Sequence, residues 1–473
     1  MSPAVPPALV AVPDATPSLA AAARFWLKLG LVSFGGPAGQ IALLHKELVQ
    51  RRRWLSERRF LHALNYCMLL PGPEATQLAT YLGWLMHGNR GGLIAGGLFL
   101  LPSVLLLLGL SCLYALWGQQ PLLVALFWAL KPAVLAIVVQ AAWRLGRRTL
   151  HQPLLLAIAV AAFLGLVWLR LPYPLLVGAA ALTGWIGGRL RPAWFQRTPA
   201  APSGPALQGP GFSGAVLQGT DLPGAGFSGS GFSGAALKRS ALHDDDTPSP
   251  AHALVDWRRL ALTLLLSGLA LALPLAALSW QGGVAGPLAT MARFFTRVAL
   301  ISFGGAYAVL PYVAQGAVET HGWLSAQQML DGLALGETTP GPLIMVVAFV
   351  GFMGGWNGSG SLAMALLAGL VVVWFTFLPS FVFILAGAPL VEASREDLRL
   401  GPPLMAITAA VVGVVASLAL LFAGPALWPA GRFDPAALAM LAASLLLLLR
   451  WQWGVLRLIG AAALVGVAKL LLH

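Results

Sequence analysis

The sequence predicts an all-α polytopic membrane protein. Its two homologous halves are expected to be inverted repeats built around broken, re-entrant helical hairpins. Three observations carry this prediction. Hydrophobic residues make up 58% of the 473 residues and charged residues only 10%, whereas a soluble domain is roughly a quarter charged. Apolar runs recur at close to the ~17–25 residues a helix needs to cross a bilayer. The stretch that begins at Arg24 is repeated at Arg293. A chain this poor in charge cannot cover its surface with charge, so its surface faces lipid. That excludes a secreted disulfide scaffold, a coiled coil, a nucleic-acid-binding domain and a cytosolic enzyme.

The elements follow in order. Residues 1–22 are rich in Pro and Ala and have no basic n-region, so they read as a short tail and not as a cleaved signal. Residues 23–190 are expected to form the first repeat. In it, 24–44 and 60–86 are expected as broken hairpins, followed by apolar runs at 91–117, 122–143, 153–169 and 174–189. Residues 191–256 are rich in Gly, Ser and Pro, carry Gly-Phe-Ser-Gly three times and then Asp244, Asp245 and Asp246. Such a polymer cannot bury a core and is expected to be a disordered cytoplasmic linker. Residues 257–473 form the second repeat, with apolar runs at 258–280, 361–390, 401–424, 435–449 and 452–472. Pro102 and Pro379 lie inside runs and are expected to kink their helices.

The duplication aligns without a gap over fifty residues. Adding 269 to each number carries Arg24-Phe25 onto Arg293-Phe294, and Ser33-Phe34-Gly35-Gly36 onto Ser302-Phe303-Gly304-Gly305. It also carries Trp54-Leu55-Ser56 onto Trp323-Leu324-Ser325, and Pro71-Gly72-Pro73 onto Pro340-Gly341-Pro342. Further on, Leu101-Pro102-Ser103 matches Leu378-Pro379-Ser380 at an offset of 277. Internal repeats of this kind mark transporters. The segment Lys46 to Arg59 carries Lys46, Arg51, Arg52, Arg53, Arg58 and Arg59, while its partner, Gln315 to Gln328, has no basic residue. Basic loops stay in the cytoplasm, so the repeats are expected to be inverted. The same rule accounts for the net charge of +13 without a nucleic-acid partner.

Gly and Pro together stop one helix and start another, and Pro suits the first helical position. The restarted helix presents free N–H groups, which attract anions. Paired breaks in both halves therefore point to a transport site, against the plainer reading that small residues only permit close helix packing. The candidate substrate-binding residues are Ser33, Phe34, Gly35, Gly36, Pro37, Pro71, Gly72, Pro73, Thr76 and Gln77. The second-repeat candidates are Ser302, Phe303, Gly304, Gly305, Thr338, Thr339, Pro340, Gly341 and Pro342. Neutral hydroxyl and amide donors can hold an oxyanion without trapping it. Glu74 and Glu337 are candidate proton-coupling groups, because carboxylates inside a membrane are costly and usually functional; helix capping is the alternative. Repetition preserves neither: Glu74 matches Leu343, and Glu337 matches Met68. Arg24, Lys28, Arg293 and Arg297, with the deeper Lys131, are candidates for an electropositive entrance funnel or for snorkelling at the interface. His62, Asn65 and Asp331 are polar positions on the lead-in to each Pro-Gly-Pro. Cys67 and Cys112 form no metal spacing, the histidines form no ligand pair, and no phosphate-binding loop occurs. No cofactor, metal or catalytic residue is expected.

With these residues in view, the sequence resembles the chromate ion transporter family in its long, two-domain form. Phe34 to Gln40, Arg51 to Ser56 and Asn65 to Glu74 carry the likeness in the first half, and Phe303 to Pro311 and Glu337 to Leu343 carry it in the second. The resemblance implies a multi-pass protein of the bacterial inner membrane that exports chromate on the proton motive force and confers chromate resistance. Its implied partners are a chromate- or sulfate-like oxyanion and the lipid bilayer, with homodimer formation left open. A sulfate or other inorganic-anion transporter, and a membrane protein handling lipid phosphate, are the other readings.

Overall fold

The computed structural model describes residues 17–190, 251–253, 256–303, 306–393 and 401–472. The expected linker over 191–250, and Gly304 and Gly305, lie outside the described residues. The first repeat comprises α1 (Leu19–Val32), α2 (Gly36–His45), a π-helical turn (Lys46–Arg51), α3 (Glu57–Leu69), α4 (Glu74–Trp117), α5 (Pro121–Thr149), α6 (Pro153–Val167) and α7 (Tyr173–Leu190). A connecting helix, α8 (Trp257–Gly282), precedes the second. That repeat comprises α9 (Pro287–Leu300), α10 (Ala306–Ala314), a π-helical turn (Gln315–Thr320), α11 (Ala326–Thr338), α12 (Val346–Ser359), α13 (Leu362–Ala393), α14 (Gly401–Leu427), α15 (Pro435–Leu449) and α16 (Val455–Leu472). Six of the described helices are long and apolar enough to cross a membrane, and all nine expected apolar runs are helical. α1 begins inside the stretch assigned to the tail, because the Ser18 hydroxyl caps it by accepting from Ala21 N. The end of the expected linker is also placed: His252 Nε2 lies 2.9 Å from the Trp84 carbonyl oxygen.

The duplication is legible residue by residue in the backbone. The two π-helical turns, and α3 and α11, correspond at the offset of 269; α6 and α15, and α7 and α16, correspond at 282. Ser56 and Ser325 cap α3 and α11 in the same way, each hydroxyl accepting from the backbone N–H three residues on. Phe25 packs against Trp54 with ring centroids 4.9 Å apart, and their equivalents Phe294 and Trp323 lie 5.5 Å apart. Arg52 sits over both rings of the first pair. His321, its equivalent, stacks on Trp323 at 4.5 Å.

Each repeat opens with two helical hairpins. α1 and α2 fold back on each other at Ser33–Gly35, as the Arg52–Phe25 contact requires. α3 and the first arm of α4 fold back at Pro71–Pro73, with Tyr66 and Tyr81 5.8 Å apart across the hairpin. With 13 and 14 residues, α3 and α1 are each only ~20 Å long, enough for a re-entrant arm but not for a span. α4 then reverses. Its backbone leaves helical geometry at His87 and Gly88, not at Pro102 where the kink was expected. The two arms close on glycines: a Cβ on Gly91 would strike Gly83 O, and one on Gly96 would strike the Thr80 hydroxyl. In lipid, where apolar burial does not drive helices together, small residues that let backbones approach are what hold such a pair.

The second arm of α4 establishes the inversion. It starts at the base of the first-repeat hairpins, passes Gly30 at Phe99, and reaches the second-repeat tip at Ser103, which donates to Pro340 O. It ends at Tyr114, beside Asp331 and Phe349 of the second-repeat hairpins. α13 makes the reverse journey and brings Ser380 to Gly72 and Phe383 O to Tyr66. The hairpins of the two repeats therefore approach from opposite ends, tip to tip. Beyond the hairpins the repeats interlock. α5 packs between α14, α15 and α16, and α14 packs between α5, α6 and α7. α8 buries none of its residues and lies on the outside. It is the odd helix that turns the second copy over. The end of the molecule at the base of the first hairpins carries Arg51, Arg52 and Arg58, with Arg258 at the start of α8, whose Thr263 meets Asn89, and is called the arginine-rich end below.

Candidate functional site

The four hairpin tips meet at the centre, where they exchange backbone hydrogen bonds between repeats. Gly72 N donates to Ser302 O at 2.9 Å, and Gly341 N donates to Ser33 O at 2.7 Å. Each Pro-Gly-Pro is then closed by a serine from a long helix: Ser103 reaches Pro340 O, and Ser380 lies against Gly72. Positive φ angles of +132° and +119° at Gly72 and Gly341 allow this approach, a conformation that L side chains rarely adopt. The expectation that all the breaks open onto one site is therefore narrowed. The N–H groups of Gly72 and Gly341 are already bonded to the opposite repeat and are not available to a ligand.

The first Gly-Gly break is different. α2 starts there with Gly35 at its N-cap, Pro37 in its first turn and no side-chain cap. The N–H groups of Gly36 and Ala38 find no acceptor among the described residues, as expected of the first residues of a helix. A Cβ on Gly36 would meet nothing within 4 Å among the described residues, and Phe34 is 37% exposed. This is an uncapped helix N-terminus facing open space, with the dipole and donors that attract anions.

Around the tips lies a set of buried polar atoms without partners. The hydroxyls of Thr76, Ser302 and Ser380 and the amide oxygens of Gln40 and Gln77 are buried and unpaired among the described residues. Gln77 Nε2 donates to Pro71 O at 2.8 Å, and Gln40 Nε2 to Ser33 O at 3.3 Å. Buried polar groups are normally hydrogen-bonded, so these atoms are the ones at the tips with capacity left to bond a polar group. Thr338 and Thr339 are not of this kind, because their hydroxyls donate back to Leu335 O and Gly336 O of their own helix. Phe303 is half-buried against the core.

The two glutamates sit in unlike places. Glu337 accepts from the Tyr307 hydroxyl at 2.6 Å. Glu74 opens α4, half-buried, with neither a hydrogen bond nor an ion pair among the described residues. Of the expected funnel, Arg24 and Lys28 are exposed on α1. Lys28 lines a cavity of about 300 Å³ with Glu47, Arg51 and Arg52. Arg297 is exposed on the opposite half of the molecule, while Arg293 bonds Val284 O and the Thr290 hydroxyl at the start of its own helix. Lys131 is not an open cation: it pairs with Asp331 at 3.2 Å. Sequence reasoning missed Gln40, Ser103, Ser380 and Tyr307. The repeated Leu-Pro-Ser triplets were a signal for the two serines.

The family model described as Chromate transporter matches residues 20–185 and 289–467. A chromate transport protein of Pseudomonas aeruginosa is 31% identical over 399 residues, covering 83% of this chain and 78% of the relative. A chromate transport protein of Cupriavidus metallidurans is 26% identical over 459 residues, covering 95% and 93%. A probable chromate transport protein of Synechococcus elongatus is 26% identical over 402 residues, covering 84% and 83%. No solved structure matches.

Proposed function

The chain belongs to the chromate transporter family, and we propose that it is a secondary transporter exporting chromate across the bacterial inner membrane and so conferring resistance. The observation that carries the reading is the open N-terminus of α2, beside a tip cluster whose buried hydroxyls lack partners. A tetrahedral dianion needs several donors that do not neutralise it permanently. Backbone N–H groups and hydroxyls meet that need, and the inverted repeats present the cluster to either side in turn as they rock about it. The chain carries no motif for nucleotide hydrolysis, so the work comes from an ion gradient. Glu337, held by Tyr307, is the group proposed to exchange protons with it, and Glu74 is the second carboxyl in reach of the tips. The relatives named as transport proteins support reading this protein as a transporter and not as an enzyme.

Uptake of labelled chromate into everted membrane vesicles tests this. The expected result is accumulation that needs a proton gradient and is competed by sulfate. Accumulation of sulfate alone would move the reading to another inorganic anion, and no uptake of either with the protein present would remove it. Glu337→Gln is expected to retain chromate binding but to flatten the dependence of uptake on pH. An unchanged pH profile would reduce Glu337 to a partner that holds Tyr307 in place.

A further inference from the structure

We propose that Lys131, Asp331 and Tyr114 form a one-sided charge gate, at which a dianion moving from the tips toward the opposite end displaces the Asp331 carboxylate from the Lys131 ammonium. The inference rests on the dianion-transport reading above. Lys131 Nζ lies 3.2 Å from Asp331 Oδ1, with the two side chains 18% and 6% exposed. The Tyr114 hydroxyl donates to the other carboxylate oxygen at 2.9 Å. The Tyr114 ring is wedged edge-on against Phe127 and Phe349, at 5.2 and 5.3 Å. The cluster thus joins α4 and α5 of one repeat to α11 of the other.

Its place in the fold is specific. Ser103 marks the level of the tips on α4. Tyr114 lies eleven residues further on, ~16 Å beyond them along the helix, away from the arginine-rich end. A buried ion pair is a poor way to stabilise a fold, because apolar residues of the same size do as well or better. Inside a membrane it marks a pathway. The repeat also makes the gate one-sided. The position of Asp331 in the first repeat is His62, whose Nε2 is buried and unpaired among the described residues. The two sides of the tip cluster are therefore chemically unlike, although the backbone is symmetric.

The exchange is chemically simple. The ammonium has three donors and the carboxylate two acceptor oxygens. A tetrahedral dianion offers more negative charge and more oxygens to the same donors. It can replace Asp331 without leaving Lys131 unpaired, and Asp331 keeps the Tyr114 hydroxyl meanwhile. A pair that served only to clamp the repeats together would affect folding and leave substrate affinity alone.

The test uses the purified full-length protein in liposomes and reads the chromate concentration for half-maximal transport. Asp331→Asn frees Lys131 from its competitor, so half-saturation is expected to fall about tenfold, equivalent to ~1.4 kcal/mol, while turnover slows. The double variant Lys131→Met/Asp331→Asn nearly keeps the volume and removes both charges, so that neither charge is left buried alone. Its half-saturation is expected to rise at least tenfold on the same scale. If Asp331→Asn does not fold, the double variant alone decides. Wild-type half-saturation in the variants that fold overturns the gate. Wild-type protein that carries no chromate overturns the substrate reading instead. The same variants are then read with sulfate, where the same opposed shifts uphold the gate and their absence overturns it.

Discussion

Gly341→Ala is expected to remove most of the folded protein, although it adds one methyl group. The new Cβ would fall on the Ser103 hydroxyl, which is itself bonded to Pro340 O. The φ of +119° at this position adds backbone strain of about 1–3 kcal/mol. Displacing Ser103 leaves a buried carbonyl unpaired, at about 1–3 kcal/mol more. Gly341 N also carries the hydrogen bond to Ser33 O, so any shift of the tip breaks a contact between the repeats. Together these are a large part of the ~5–15 kcal/mol that holds a typical fold. The measurement is the monodisperse fraction after extraction into detergent, followed by the melting temperature of what remains, expected to fall by roughly 10 °C. Combining Gly341→Ala with Ser103→Gly removes the collision but not the strain, so recovery should be partial. A Gly341→Ala protein that melts with the wild type would mean that the tips do not meet as described.

That prediction rests on contacts the sequence could not reveal. The duplication, the apolar runs and the four breaks were legible, because Gly, Pro and Trp recur at one offset and polar loops separate the runs. The inversion was legible too, from the basic residues at 46–59 that 315–328 lack. What the breaks face was not legible. Pro71-Gly72-Pro73 and Gly35-Gly36-Pro37 read alike as chain interruptions. Yet the first is closed by Ser302 and Ser380, more than 200 residues away, while the second stays open. Lys131 read as a lone cation for a similar reason. Its partner Asp331 lies in the other repeat, and only the interlocking of α5 with the second repeat brings the two together. Local sequence records where a helix must stop, and the opposite repeat decides what then occupies the gap.

Gly36→Leu is expected to do the opposite of Gly341→Ala, keeping the fold and losing the function. A Cβ at Gly36 would meet no atom of the described residues within 4 Å. Its φ of +68° costs an L residue about 1–2 kcal/mol, a modest loss that should leave the protein folded and inserted. The added side chain, however, fills the space in front of the free N–H groups that open α2. A dianion approaching those donors would meet an apolar group where it needs hydrogen bonds, and would be left with its charge unpaired. Transport is expected to fall at least tenfold, equivalent to ~1.4 kcal/mol of lost binding. Gly36→Asn is the control: Asn tolerates the left-handed conformation and can offer its amide to an oxyanion, so it should keep more activity than Gly36→Leu at similar stability. Vesicle uptake normalised to folded protein separates the outcomes. If Gly36→Leu carries chromate at the wild-type rate, the substrate does not touch the N-terminus of α2, and any binding at the tips falls to the hydroxyls of Thr76, Ser302 and Ser380.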